Sequence, residues 1–159
     1  MSDPSLLALS DEDNALPARG YLLGIDYGTV RVGISVSDVF QNIASPLHNY
    51  QRVSRAADEQ FFCKLLKEYQ AVGFVVGLPL HMNGDEGEKA KEARNYGKWL
   101  HSLTKLPGTF QDERLSSVQA ELLLHSVSLT HKQRKSRVDK LAAQIVLQTW
   151  LNRRANTQK

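Results

Sequence analysis

From Tyr21 onward the chain alternates between short apolar runs and polar turns. Tyr21–Asp26 (YLLGID) is mostly apolar up to its terminal aspartate, the pattern of a buried strand. Tyr27-Gly28-Thr29 has the composition of a turn. Val30–Val36 then alternates, with Val30, Val32, Ile34 and Val36 on one side and Arg31, Gly33 and Ser35 on the other, which predicts a second strand and a hairpin. Ala44–Tyr50 is a weaker third strand, and Pro46 suggests an edge position. Phe61, Phe62, Leu65, Leu66 and Tyr69 recur at helical spacing and predict a helix over Arg55–Tyr69. Val72–Val76 reads as a short buried strand, Gly77–Gly87 as a polar, glycine-rich loop and Glu88–Leu103 as a second helix. Thr109–Asp112 is a further strand. Ser116 with Gln119 forms a capping box that opens a helix to about Val127. Leu129–Ser136 reads as a basic polar loop before a last helix, whose apolar stripe is Val138, Leu141, Ala142, Ile145 and Thr149 with Trp150 alongside.

Hairpins followed by helix-strand alternation imply antiparallel strands first and parallel ones after. The expected fold class is α/β, a mixed five-stranded sheet flanked by helices. The expected organisation is a flexible acidic leader over residues 1–19, one domain over 20–155 and a short tail over 156–159. The leader lacks strand patterning and is interrupted by Pro4 and Pro17.

Composition narrows the class. A single cysteine, Cys63, excludes an intrachain disulfide and a cysteine-based zinc site. No apolar run approaches the roughly 18 residues that span a bilayer. Asp3, Asp11, Glu12 and Asp13 stand where a secretory signal would be basic and then apolar, so a cytoplasmic, membrane-free protein is expected. Charge is unevenly spread. From His131 onward Lys132, Arg134, Lys135, Arg137, Lys140, Arg153, Arg154 and Lys159 face only Asp139. Such a basic end suits a phosphate backbone, or equally a solvated helix and tail.

Three acidic segments carry candidate chemistry. Asp26 closes the first strand between Gly24 and Gly28, where α/β sheets usually place function; otherwise it caps turn amides. Asp112-Glu113-Arg114 closes a later strand before a capped helix. Arg114 can pair with one of the acids or touch phosphate, and the cluster is also what an ordinary helix entry favours. Asp139 lies in the first turn of the last helix, one position off the apolar stripe, where it leans over the sheet end or simply complements the helix dipole. Acids converging from separate segments could hold Mg²⁺ or Mn²⁺ for phosphodiester cleavage. A fourth feature is the Gly77–Gly87 loop. Its glycines offer amides to phosphate, Asp85 and Glu86 oppose that role, and His81 is an acid, a base, a phosphate contact or a plain surface histidine.

Gly24-Ile-Asp-Tyr-Gly-Thr-Val-Arg-Val-Gly33, Val76-Gly-Leu-Pro-Leu80, Asp112-Glu-Arg-Leu-Ser-Ser117 and Val138-Asp-Lys-Leu-Ala-Ala143 together resemble the YqgF/RuvX family, in order and spacing, from about Tyr21 to Leu151. The family comprises pre-16S rRNA nucleases and Holliday-junction resolvase-like proteins. The resemblance implies an RNase H-like fold and a metal-dependent nuclease. Asp26 looks like its first-strand carboxylate, Asp112 or Glu113 like the middle one and Asp139 like the last-helix one; Asp26, Glu113 and Asp139 form the expected metal set. The strand Val72–Val76, where resolvases of the wider superfamily place their middle acid, has none. In the loop, His81, Asn83 and Asp85 depart from the residues common in the family.

The expected function is endonucleolytic processing of ribosomal RNA precursor at the 5′ end of 16S rRNA. The alternatives are a resolvase-like DNA nuclease and a non-catalytic nucleic-acid-binding module. An actin-like phosphotransferase is disfavoured by the short chain. Arg31, His81, Arg114, Lys132, Arg134, Lys135, Arg137 and Lys140 are the expected nucleic-acid contacts. Structured RNA is the preferred partner over branched DNA, and the protein is expected to be a monomer or weak homodimer.

Overall fold

The computed structural model describes Leu9, residues 16–113 and residues 131–157, the side chains of 131–140 and Thr157 excepted. Five strands and three helices form among these residues. They are β1 (Leu22–Asp26), β2 (Arg31–Ser37), β3 (Ala44–Gln51), α1 (Arg55–Tyr69), β4 (Gly73–Leu78), α2 (Glu88–Thr104), β5 (Gly108–Asp112) and α3 (His131–Thr157). The strands lie in the order β3-β2-β1-β4-β5. β1–β2 and β2–β3 pair antiparallel, while β1–β4 and β4–β5 pair parallel, so the mixed sheet expected from element order is the one found. Pro46 lies on β3, an edge strand, as expected.

Two apolar layers sandwich the sheet. On one face Leu23, Ile25, Val32, Ile34, Phe74 and Val76 meet Phe62 of α1 and Leu100 of α2. On the other, Leu22 and Val75 meet Val146, Leu147, Trp150 and Leu151 of α3. Each such large side chain removed from water contributes about 1.5–3 kcal/mol. Helix boundaries follow local chemistry. Ser54 caps α1 by accepting from the Ala57 amide at 3.1 Å, and Gln70 ends it in the left-handed region with its amide donating to the Leu66 carbonyl at 2.7 Å.

Four expectations are corrected. First, the second strand is Arg31–Ser37 and leaves Val30 exposed, while Ser35 and Ser37 are buried along with Val32 and Ile34 because small residues on that face admit α3. Second, the buried stripe of α3 is Ala142, Ala143, Val146, Leu147, Trp150 and Leu151; Thr149 is exposed and Ile145 only half-buried. Third, Lys132–Ser136 is helix rather than loop, since α3 starts at His131. The segment HKQRKSRV contains no glycine or proline and is rich in lysine, arginine and glutamine, all good helix formers. Fourth, the leader is not free up to residue 19. Leu16 is 3% exposed within the α3 layer, and the Leu16 and Pro17 carbonyls accept from the Arg154 guanidinium at 2.7 and 3.1 Å. Leu9 forms a parallel bridge to Gly108. Residues 114–130, with Arg114 and the expected helix opened by Ser116, lie outside the described residues.

Candidate active site

The parallel half of the sheet ends with three backbones side by side. Ile25 of β1 is paired with Val76 of β4, Gly77 of β4 with Gln111 of β5, and Leu78 with Asp112. Asp26 and Asp112 are therefore the closing residues of β1 and β5, with β4 between them. The ladder runs one step further, since the Glu113 amide donates to the Leu78 carbonyl at 3.1 Å.

Strands two apart are separated by about 9.5 Å, twice the inter-strand spacing. Glu113 nonetheless hydrogen-bonds Asp26 through its side chain. Gly77 makes the reach possible. A Cβ at residue 77 would run into the Glu113 Oε2 and come within 2.9 Å of Val146 Cγ2. The missing side chain is thus the channel through which Glu113 crosses β4. The sequence reading placed Gly77 at the head of a phosphate-facing loop. It belongs instead to β4, and its function there is steric.

Burial pushes the Glu113 carboxyl well above the usual glutamate range. The charge of Asp26, their mutual hydrogen bond and the charge of Asp112 raise it further. Two carboxyl groups held this close favour sharing one proton over ionising together. Oxygen donors brought together against their mutual repulsion are also the ligands that hard divalent cations prefer, so this pair fits such an ion. Among the described residues no three histidine, cysteine or acidic side chains gather into a complete cage.

The other expected residues divide between near and far. Arg31 opens β2, beyond a turn tight enough that a Cβ on Gly28 would strike the Arg31 carbonyl oxygen. His81 is exposed in the β4–α2 loop, where its amide donates to the Asp85 carbonyl at 2.9 Å and its ring lies against Gly87. Glu86 of that loop is held by Arg94 of α2 at 2.6 Å and the Asp85 carboxylate accepts from the Asn83 amide at 3.0 Å, so the acids there are engaged in loop structure. Asp139, Lys132, Arg134, Lys135, Arg137 and Lys140 lie on the N-terminal part of α3, their side chains outside the described residues, as Arg114 is entirely.

A cleft not evident in the sequence opens at the same end of the sheet, on the face covered by α1 and α2. Tyr27, the residue after Asp26, stacks obliquely on Tyr96 of α2 with ring centroids 4.8 Å apart, and its hydroxyl accepts from Arg52 at 3.1 Å. Tyr96 and Trp99 at helical spacing were the available signal, but such pairs are usually core.

The chain matches the family model described as RuvX, Holliday junction resolvase, over residues 20–153. A relative from Rhodobacter capsulatus named "Putative pre-16S rRNA nuclease" is 42% identical over 148 residues, 93% of each chain. One of the same name from Lactococcus lactis subsp. cremoris is 43% identical over 136 residues, 84% of this chain and 95% of the relative. Among solved structures, Thermus thermophilus RuvC in complex with a Holliday junction substrate has a TM-score of 0.54 at 16% identity, covering 87% of this chain and 97% of that one. The yeast mitochondrial Holliday junction resolvase has a TM-score of 0.53 at 12% identity, covering 90% and 82%. The likeness to the solved structures makes the fold RNase H-like, and the family model with the nuclease-named relatives makes the protein a hydrolase of phosphodiester bonds. With that extent of match, the chain belongs to the RuvX family.

Proposed function

We propose that the protein is a metal-dependent endonuclease that matures the 5′ end of 16S rRNA from its precursor in the cytoplasm, acting as a monomer or weak homodimer. The observation that carries the chemistry is the Asp26–Glu113 pair, joined across Gly77 at the carboxyl end of the sheet. The substrate reading is supported by the names of the relatives.

Asp139 is the third acid in this proposal. Its backbone position supports it. Gly24 lies under α3 at Ala143 and Leu147, and Arg154, further along α3, reaches Leu16 and Pro17, ahead of β1. α3 therefore runs opposite to β1, and lower residue numbers on α3 lie toward Asp26. Asp139 is about 6 Å before Ala143 at the helical rise. Asp26 is about 6.6 Å beyond Gly24 at the strand rise. The two shifts are similar, which supports the reading that Asp139 stands near the level of Asp26.

Asp26, Glu113 and Asp139 would hold Mg²⁺ or Mn²⁺, with Asp112 as a flanking charge. Such an ion supplies Lewis-acid stabilisation of charge on phosphate oxygens. The chain's own part is to hold the acids in one place before substrate arrives. Without a cation, the Glu113 and Asp26 oxygens keep a proton between them. Lys132, Arg134, Lys135, Arg137 and Lys140 on the same stretch of α3, with Arg31, His81 and Arg114, would position the phosphate backbone without specifying sequence.

The test is cleavage of a precursor fragment spanning the 16S 5′ end and of a four-way DNA junction, each with Mg²⁺ or Mn²⁺. Specific cutting of the RNA that is lost in Asp26→Asn is the expected result. Cutting of the junction alone would instead establish the resolvase reading, which the family description favours. Binding without cutting of either would make the protein a non-catalytic module.

A further inference from the structure

At the same end of the sheet as the carboxylate pair, but on the face covered by α1 and α2 rather than α3, a cleft of about 690 Å³ opens between the β1–β2 turn, the start of α1 and α2. That is within the range of small-molecule sites, ~300–1,000 Å³. One wall is aromatic. Tyr96 and Trp99 lie three residues apart on α2, ring centroids 5.2 Å apart, and Tyr27 continues the row from the other side. Phe62 braces Trp99 and Tyr96 edge-on from the core, at 6.0 and 6.2 Å, so the wall is held from behind.

The floor is a fixed cation. The Arg52 guanidinium lies 5.3 Å from the Tyr27 ring centroid and 5.7 Å from that of Tyr96. It is 3.6 Å from the buried Asp58 carboxylate, which also accepts from the Tyr50 hydroxyl at 2.7 Å. The Arg52 Nε is buried and makes no hydrogen bond. At the rim, Asn95 on α2 is exposed and lines the cleft, offering an amide donor and acceptor beside Tyr96. A rigid aromatic face, a planar cation and an amide edge are what an unstacked nucleobase needs: a stacking surface and a partner for its hydrogen-bonding edge.

We propose that this cleft receives a single unpaired base of the substrate strand, stacked against the half-buried Trp99, with Tyr96 holding that ring from below, and contacted at its edge by Asn95. The inference rests on the nucleic-acid reading above. It goes beyond that reading by giving the enzyme a base-holding site separate from its carboxylates, at the same end of the sheet but on its other face. Such a site selects substrates with an unpaired nucleotide near the cut, which continuous duplex lacks.

The probe is a mixed-sequence single-stranded RNA pentamer, with an abasic chain of equal length as control, titrated into the full chain with chelator present so that nothing is cut. Trp150, the other tryptophan, is fully buried, so quenching by ligand reports on Trp99. The pentamer should quench strongly and the abasic chain little. Trp99→Leu and Asn95→Ala should each weaken pentamer binding, about tenfold for the tryptophan as expected for a lost base stack. Trp99→Phe should restore most of the affinity. Asn95 is exposed, so its substitution tests the cleft without disturbing the core. Equal binding of the pentamer by wild type and both truncated variants, or equal quenching by the abasic chain, overturns the inference while leaving the nuclease reading intact. Failure of any RNA or DNA to bind would overturn both.

Discussion

The Ser35 hydroxyl of β2 donates a hydrogen bond of 2.8 Å to the carbonyl oxygen of Ala143 on α3, linking residues 108 apart in sequence. Gly24 on the neighbouring strand lies directly beneath the same turn. A Cβ on Gly24 would come within 2.7 Å of Leu147 Cβ and 2.9 Å of the Ala143 carbonyl. A serine and a glycine thus set how closely, and at which turn, α3 lies on the sheet. Ser35→Ala should cost about 1 kcal/mol, the worth of one such bond. Gly24→Ala should cost more, about 1–3 kcal/mol, because the helix must lift. Urea unfolding of the two variants checks the order, and cleavage should fall more in Gly24→Ala because Asp139 moves with the helix.

Gly77→Ala is expected to separate site from fold. A methyl group there occupies the path of the Glu113 side chain to Asp26. A displacement of even 1 Å at reacting groups can cost roughly 100-fold in rate. Single-turnover cleavage should drop by at least that order while cooperative unfolding is retained. Full activity in Gly77→Ala would show that Glu113 need not reach Asp26.

Glu113 also gives a pH dependence. Its carboxyl binds a proton more tightly in the folded chain than in the unfolded one, where it titrates near 4.5. The folded state therefore carries more protons above that pH, and stability falls as pH rises from about 4.5 toward the raised folded value of about 9. In chelator, thermal midpoints of the wild type should decline across this window. Glu113→Gln should flatten the decline and raise the midpoint at pH 8 while abolishing cleavage. Mg²⁺ or Mn²⁺ should offset the decline in wild type only.

The N-terminal boundary can be tested by truncation. A chain beginning at Leu16 loses the Leu9 bridge to Gly108 and should unfold at a slightly lower midpoint than the full protein. One beginning at Gly20 loses the buried Leu16 and the acceptors of Arg154. Leu16→Ala alone should cost about 2–3 kcal/mol, in the range for a buried leucine. Equal midpoints for the two truncations would make Leu16 a passive surface contact.

The order of elements along the chain was legible because apolar runs and turns are local signals, and Asp26 stood out at the end of one such run. What was not legible depended on partners far along the chain. The alternation of Val30–Val36 set Ser35 apart from the apolar side, but Ser35 is buried because α3 covers it. The stripe on α3 was misplaced by one position because Ile145 and Thr149 continue the helical period of Leu141, while the sheet selects Ala142, Ala143 and Val146. The choice between Asp112 and Glu113 could not be made from a strand of unknown end. It turns on whether the chain crosses β4 at a residue without a side chain, and the glycine that permits this looked like loop chemistry.

The position of α3 has a consequence for how the chain is made. Leu22, Gly24 and Val75 find their cover in α3, the last described element to leave the ribosome. At roughly 5–20 residues per second, the interval between Ser35 and its partner Ala143 is about 5–20 s of synthesis. Throughout that interval β1, β2 and β4 can pair and bury one face under α1 and α2 while the other remains greasy and open. The nascent chain thus passes through a half-coated sheet, a species that favours sticking to its neighbours, and the helix carrying Asp139 closes it.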